Sequence, residues 1–290
     1  MKIQTFSIVA GTEACNARCP FCISKMTPKE GVTLKEPEVN WRNFRKAARL
    51  AEKSGCTTAM ITGKGEPTLF PDQVTRYLEE LERFDFPLVE IQSNGIPTAD
   101  RKPVTKEHLR TWYEKGLNTI AISIVHYKPE KNREVYLPYR QSYIDLPELI
   151  RYLHSERFSV RLACVMADGF IDSAEEVQNL INFAKENGVE QLTARPVNKP
   201  EDSRDPVAYK WAEEHHLKEY QKEGIRNYVD VNGHKLMELP HGATVYDVDG
   251  QNFCMANSLT LPNDEDIRQL IFFPDGHLRF DWQYEGAILL

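Results

Sequence analysis

Between residues 2 and 223 the chain repeats one pattern six times: a short apolar run, then a stretch with apolar residues at helical spacing. No other feature constrains the fold as much. Consecutive strand–helix units pack as a parallel sheet with right-handed crossovers. Lys2–Ala10 reads as the first strand, and its apolar stretch Phe6–Ala10 is shorter than the ~7–15 residues of a signal-peptide core. The spacing predicts a helix after Asn40, an N-cap residue type, with Trp41, Phe44, Ala47, Ala48 and Ala51 on one face and Gly55 closing it. Thr58–Thr62, Leu88–Ser93, Thr119–Ile124, Ser159–Met166 and Gln191–Pro196 follow as strands. The intervening helices are predicted over about Pro71–Phe84, Lys106–Lys115, Leu146–Ser155, Ser173–Asn187 and Val207–Glu223. Ser173 with Glu176 three residues on reads as a capping box. Six units make an incomplete barrel, so the expected class is α/β, a partial (β/α)6 TIM-like barrel.

The last part of the chain changes character. Asn232-Gly233, Asp249-Gly250 and Pro274-Asp275-Gly276 are turn signals, and Leu270–Phe273 with His277–Trp282 flank the last as a hairpin. The expected domains are residues 1–200 as the barrel core and 201–290 as a helix plus β-hairpin extension lying across the open side. Polar Asn198–Pro206 is the expected linker.

The 36 basic and 43 acidic residues give a net charge of −7. That balance argues against a broad nucleic-acid surface while leaving room for a local phosphate pocket. No apolar run approaches the ~20 residues of a membrane helix, and a cytoplasmic protein is expected. Of six cysteines, 15, 19 and 22 crowd into one loop, whereas 56, 164 and 254 are scattered. A disulfide framework would spread along a small secreted chain; a tight cluster points to metal.

That loop reads Cys15-Asn16-Ala17-Arg18-Cys19-Pro20-Phe21-Cys22, a C-x3-C-x2-C spacing. Three thiolates on one short loop can hold three irons of a cubane and leave the fourth open, and soft thiolates suit such clusters. Zinc or inert thiols are the alternatives. A structural zinc site closes with four ligands, and no matching Cys or His pair follows; His215 and His216 are adjacent on a predicted helix and point different ways.

With Cys15, Cys19, Phe21 and Cys22 in C-x3-C-x-aromatic-C order, the sequence resembles the radical S-adenosylmethionine (SAM) superfamily. The branch containing the molybdenum-cofactor cyclase and the peptide- and sulfatase-modifying enzymes fits best. The family's Gly-Gly-Glu-Pro segment stands here as the variant Gly63-Lys64-Gly65-Glu66-Pro67, at the end of the second strand. Glycines there let backbone approach a ligand closely. Ser93-Asn94-Gly95 is similar to the family's Thr-Asn-Gly, Ser123 stands where relatives place a polar residue near SAM, and Arg161 could pair with a carboxylate.

The resemblance implies one [4Fe–4S] cluster on Cys15, Cys19 and Cys22, and SAM held by Phe21, Gly63, Lys64, Gly65, Glu66, Ser93, Asn94, Ser123 and Arg161. It implies reductive cleavage of SAM to a 5′-deoxyadenosyl radical that abstracts hydrogen from a peptide or small-molecule substrate, with a reductant such as flavodoxin or ferredoxin. A nucleotide or sugar substrate, or a non-catalytic iron–sulfur module, are the alternatives. Relatives with auxiliary clusters carry a cysteine-rich tail; here Asp281 and Trp282 occupy that stretch and Cys254 stands alone. Cys254 reads either as a small buried hydrophobe or as a catalytic hydrogen-atom donor. Cys56 and Cys164 read as core. A carboxylate-based barrel hydrolase would need a dense set of His and Asp at strand ends, where only His126 and Asp168 stand.

Overall fold

The computed structural model describes residues 2–27, 32, 35–137, 139–197, 205–239, 242–256, 266–282 and 284–290. The predicted linker lies largely outside them. In chain order the elements are β1 (Lys2–Val9), α1 (Ile23–Met26), α2 (Trp41–Lys53), β2 (Thr58–Thr62), α3 (Pro71–Leu81), β3 (Leu88–Ser93), α4 (Ile96–Ala99), α5 (Lys106–Glu114), β4 (Thr119–Ile124), α6 (Pro129–Tyr136) and α7 (Leu146–Ser155). There follow β5 (Ser159–Met166), α8 (Ala174–Glu186), β6 (Gln191–Pro196), α9 (Pro206–His215), α10 (Glu219–Asn232), β7 (Gly233–Glu238), β8 (Thr244–Val248), β9 (Gln251–Met255), β10 (Asp266–Phe272) and β11 (Leu278–Arg279).

Strands β1 to β6 lie side by side in chain order and run parallel. The period-2 alternation of each strand sorts its residues onto two faces. Phe6, Ile8, Ala59, Ile61, Val89, Ile91, Ile120, Ile122, Leu162 and Leu192 are buried in one large apolar core. The helices pack on that face: α2 through Phe44, Ala47, Ala48 and Ala51, and α8 through Val177, Leu180, Ile181 and Ala184. Ser7, Met60, Glu90, Ala121, Arg161 and Thr193 fall on the opposite face, inside the curved sheet. The sheet does not close, as expected of a partial barrel.

The β-rich tail is present as strands β7 to β11. They lengthen the sheet at both edges: β10 runs parallel to β1 with β11 outside it, and β9 runs parallel to β6 with β8 and β7 beyond. An open edge presents a row of unpaired N–H and C=O groups, and pairing satisfies them. The predicted turns at Asp249-Gly250 and Pro274-Asp275-Gly276 form as hairpins, with positive φ at Asp249, Gly250 and Gly276.

Three local expectations are corrected. The helix predicted over Val207–Glu223 is two helices, because His216 turns extended, Leu217 is buried, and the Lys218 N–H is capped by the Gln221 side chain at 2.8 Å. A helix unseen in the sequence, α6, follows β4. Pro129 opens it, and buried Asn132 pins its start by accepting from the N–H groups of Val125 (2.9 Å) and His126 (3.2 Å) and donating to the His126 carbonyl. At α8, Ser173 accepts from the Glu176 N–H as predicted, but the Glu176 carboxylate does not complete a capping box. It accepts instead from the Tyr127 hydroxyl at 2.9 Å and lies 3.6 Å from His126 Nε2.

His126 is buried and its Nδ1 accepts from the Lys128 N–H at 3.1 Å. Burial, opposed by Glu176 and helped by Lys128 and Lys131, holds its pKa below the ordinary value. The unfolded chain therefore binds a proton that the folded chain refuses. The corresponding stability is complete above about pH 6.5 and is lost as pH falls through the folded value. Denaturant unfolding of His126→Gln should show a weaker loss of stability between pH 7 and mildly acidic pH than the parent shows; equal slopes would refute this origin.

Candidate active site at the mouth of the barrel

The loop after β1 carries Cys15 exposed and Cys19 and Cys22 partly buried, all as free thiols. The chain winds tightly here: the Cys22 N–H reaches the Cys19 carbonyl at 3.3 Å, the Ala17 N–H points at Cys15 Sγ at 3.4 Å, and Cys22 opens the single turn of α1. The segment after β4 braces the loop. The Arg18 N–H donates to the Tyr136 carbonyl at 3.0 Å, its guanidinium lies 5.1 Å from the Tyr139 ring centre, and the Tyr139 hydroxyl bonds the Asn16 carbonyl. Phe21 packs between Tyr136 (6.1 Å, edge-on) and Trp211 (5.4 Å).

Burial pushes the Cys15 thiol up to about 11, with Glu66 and Cys22 adding to the rise, and Cys19 higher still, with Cys22 and Cys15 adding. In the metal-free chain these groups carry protons, and iron binding has to displace them. Three thiols from one loop, near enough for Cys22 and Cys15 to bear on Cys19, fit a cluster held at three corners. Among the described residues no group of three or more His, Cys, Asp or Glu is gathered as for a single metal ion. His126 and Asp168 are engaged elsewhere, Asp168 with Gln221 at 2.8 Å.

The Gly63–Pro67 turn after β2 lies directly against this loop. The Glu66 N–H donates to the Ala14 carbonyl at 3.0 Å. A Cβ on Gly65 would stand 2.0 Å from the Ala14 carbonyl oxygen, so only glycine permits the contact. The buried Glu66 carboxylate turns into the protein. One oxygen accepts from the Thr68 N–H (3.1 Å), the Thr68 hydroxyl (2.6 Å) and the Ser93 hydroxyl (2.8 Å); the other accepts from the Asn94 N–H (2.8 Å). Burial raises its pKa, and these four hydrogen bonds oppose the rise. Glu66 thus clamps the ends of β2 and β3 together. Asn94 continues the link: its amide donates to Asn16 Oδ1 at 2.7 Å and points at Cys15 Sγ at 3.9 Å. Gly95, at φ 75°, turns the chain into α4 immediately after.

The remaining predicted residues separate into two groups. Ser123 meets the Tyr136 hydroxyl at 2.8 Å, beside the Phe21 ring that Tyr136 touches. Gly63, Lys64, Gly65, Glu66, Ser93, Asn94, Ser123 and the three cysteines therefore share one end of the sheet. The Lys64 ammonium, however, donates to Thr27 Oγ1 at 2.7 Å and lies 5.5 Å from the Trp282 ring centre, tying the turn to the tail. Arg161 lies deeper in the barrel, where its guanidinium meets Glu90 at 2.6 Å. Cys254 sits on β9 in register with Thr193. Burial raises its pKa and the Arg161 charge opposes the rise, which sets the two within electrostatic reach. Tyr136 and Arg195 also face this space. Arg195 is given no role by the sequence reading, although the alternation of Gln191, Thr193 and Arg195 against Leu192 and Ala194 marks it as an inward residue.

Residues 9–208 match the Radical SAM superfamily. GTP 3′,8-cyclase of Aquifex aeolicus (strain VF5) is 27% identical over 199 residues, which are 65% of this chain and 54% of the cyclase. The chain thus spans about half the length of that relative. Streptococcus suis SuiB bound to S-adenosylmethionine superposes with a TM-score of 0.62 at 14% identity, over 99% of this chain and 62% of SuiB. anSMEcpe with bound AdoMet superposes with a TM-score of 0.63 at 12% identity, over 100% of this chain and 74% of that one. At such identities the two structures speak for the fold alone. Because the matched span takes in the cysteine loop, the Gly63–Pro67 turn and every strand from β2 to β6, the chain belongs to the radical SAM superfamily, whose members use S-adenosylmethionine and an iron–sulfur cluster.

Proposed function

We propose that this protein reductively cleaves S-adenosylmethionine and uses the resulting 5′-deoxyadenosyl radical to take hydrogen from a peptide or other small-molecule substrate. The observation that carries this reading is the contact of the cysteine loop with the Gly63–Pro67 turn, through Gly65 and Ala14. It joins the cluster ligands and the expected SAM-binding backbone into one rigid unit.

In this reading Cys15, Cys19 and Cys22 hold one [4Fe–4S] cluster, which with SAM supplies a one-electron reduction and a carbon-centred radical. The chain's own residues orient and shield. Glu66 fixes β2 against β3, Asn94 directs its amide at Cys15, and Phe21, Tyr136 and Trp211 wall one side of the loop with apolar rings that exclude water. Ser123 and Tyr136 offer a hydroxyl pair at the same end. Cys254 keeps its S–H because burial disfavours the thiolate, and it is the group we assign to give a hydrogen atom to a substrate radical. An external one-electron reductant of the flavodoxin or ferredoxin kind, together with a proton from solvent, would then return the resulting thiyl radical to the thiol.

A peptide substrate is supported by SuiB, whose structure bound to the precursor peptide SuiA shares this fold. A nucleotide is the second reading, favoured by the GTP 3′,8-cyclase relative. We take residues 1–200 as the catalytic core and 201–290 as its extension. The free thiols fit a reducing compartment such as the cytoplasm, and among the described residues no helix is long and apolar enough to cross a membrane.

The test is anaerobic reconstitution with iron and sulfide, followed by dithionite and SAM. The expected result is 5′-deoxyadenosine by mass spectrometry. Iron incorporation without the nucleoside would favour a non-catalytic module, and zinc without iron would refute the cluster.

A further inference from the structure

Strand β6 carries a cation that no carboxylate among the described residues neutralises. Leu192 and Ala194 are buried against the helices, so Gln191, Thr193 and Arg195 face into the barrel. In register, Arg195 stands beside Val165, Thr193 beside Ala163, and Gln191 beside Arg161. Arg195 keeps more than a third of its surface open to water on the inner side of the sheet. No acceptor among the described residues takes a hydrogen bond from it, and no carboxylate among them pairs with it. The nearby acid, Glu90, is taken by Arg161 at 2.6 Å. The Arg161 Nε is itself buried with no acceptor.

The charges around Arg195 fit the same picture. Burial disfavours its cation and so does the Arg161 charge, while Tyr136 opposes them. Arg268, on β10 beyond the other edge of the core, is in turn disfavoured by burial and by Arg195, with Asp281 opposing. A guanidinium stays protonated under such pressure. The five donors of a guanidinium, set in a fixed fork, match a carboxylate or phosphate. Tyr136 links this point to the cluster end, since its hydroxyl meets Ser123 and its ring touches Phe21.

The geometry points to an oxyanion site inside the barrel, in which the Arg195 fork, with the free Arg161 Nε as a further donor, holds the carboxylate or phosphate of the small molecule that enters. This rests on the function proposed above and narrows its substrate to an anionic one.

Substrate and SAM are told apart as the source of the oxyanion by calorimetry on the reconstituted, oxygen-free protein. Inorganic phosphate is titrated as a substrate-like probe at two salt concentrations, alongside SAM and a SAM analogue with its carboxylate amidated. If the substrate supplies the oxyanion, Arg195→Gln weakens phosphate about tenfold or more, roughly 1.4 kcal/mol, and leaves SAM unchanged. If Arg195→Gln instead weakens SAM by that factor and leaves the amidated analogue alone, the oxyanion is that of SAM and the substrate site is overturned. Arg195→Lys, which keeps the charge but loses the fork, restores part of either loss. Unchanged binding of both phosphate and SAM in Arg195→Gln overturns the site.

Should that variant not fold, an arginine-selective dicarbonyl on the parent protein decides. Peptide mapping should find Arg195 labelled, and protected by phosphate; labelling that phosphate does not slow also overturns the site. The phosphate titration and the labelling read out even if no 5′-deoxyadenosine forms, so a failure of the proposed function is visible separately.

Discussion

Replacing Cys15, Cys19 or Cys22 by alanine, one at a time, is expected to strip the reconstituted protein of its cluster and bring 5′-deoxyadenosine formation to background. Each thiol is a separate corner of a three-point attachment, and the loop offers no spare ligand. Among the described residues the other cysteines are far from this duty: Cys56 and Cys164 are buried in the core, and Cys254 lies on β9 near Arg161. The parent should hold about four irons per chain, with the brown absorbance of a thiolate-bound cluster. Cys254→Ala is the informative control, because it should keep both the iron and the nucleoside while altering the fate of a substrate radical. Retention of a normal iron content and absorbance in any one of the three loop variants would break the assignment of that residue. Cys15 and Cys19 are protonated in the metal-free chain, so loading should release protons and proceed further as pH rises.

Gly65→Ala should be nearly as damaging, though it removes no ligand and adds one methyl group. The added carbon would sit 2.0 Å from the Ala14 carbonyl oxygen and 2.7 Å from the Ala14 carbonyl carbon, both backbone atoms that cannot rotate away. Either the turn or the cysteine loop has to move. Overpacking of this kind costs about 1–3 kcal/mol, and a displacement near 1 Å costs about a hundredfold where reacting groups must be aligned. The expected outcome is a folded protein with a modestly lower Tm, reduced iron content and roughly a hundredfold slower SAM cleavage. Gly224→Ala in α10 is the matched control, since nothing lies within 4 Å of its added carbon. It should be neutral or stabilise by about 0.5–1 kcal/mol. If Gly65→Ala cleaves SAM at the parent rate, the loop-to-turn contact does not carry the site.

Features that depend on near neighbours along the chain are legible in the sequence alone. Five of the six core strands have the predicted ends, and Asn40 caps α2 by accepting from the Asn43 N–H, because alternation and capping involve only neighbours a few residues apart. The cysteine spacing belongs to the same class, since one loop brings its three ligands together whatever the rest of the chain does. Ser93, Asn94 and Glu66 are also legible as a strand-end cluster, but their arrangement is not. The carboxylate expected to hold a cofactor turns inward and clamps two strands. Likewise Glu176 abandons its helix cap for Tyr127 and His126, a choice made by residues almost fifty positions away.

By itself, then, the sequence determined an alternating α/β chain with a three-thiol loop at the end of its first strand. Both depend on periodicity and on contacts within a turn or two. Only the tertiary structure decided that the tail extends both sheet edges, that Arg161 faces Glu90, that Lys64 reaches Thr27 and Trp282, and that Arg195 is left without a counter-ion among the described residues. Those outcomes depend on strand register and on which distant backbone needs a pairing partner. A side chain's neighbours across a sheet are fixed by the packing of the whole molecule.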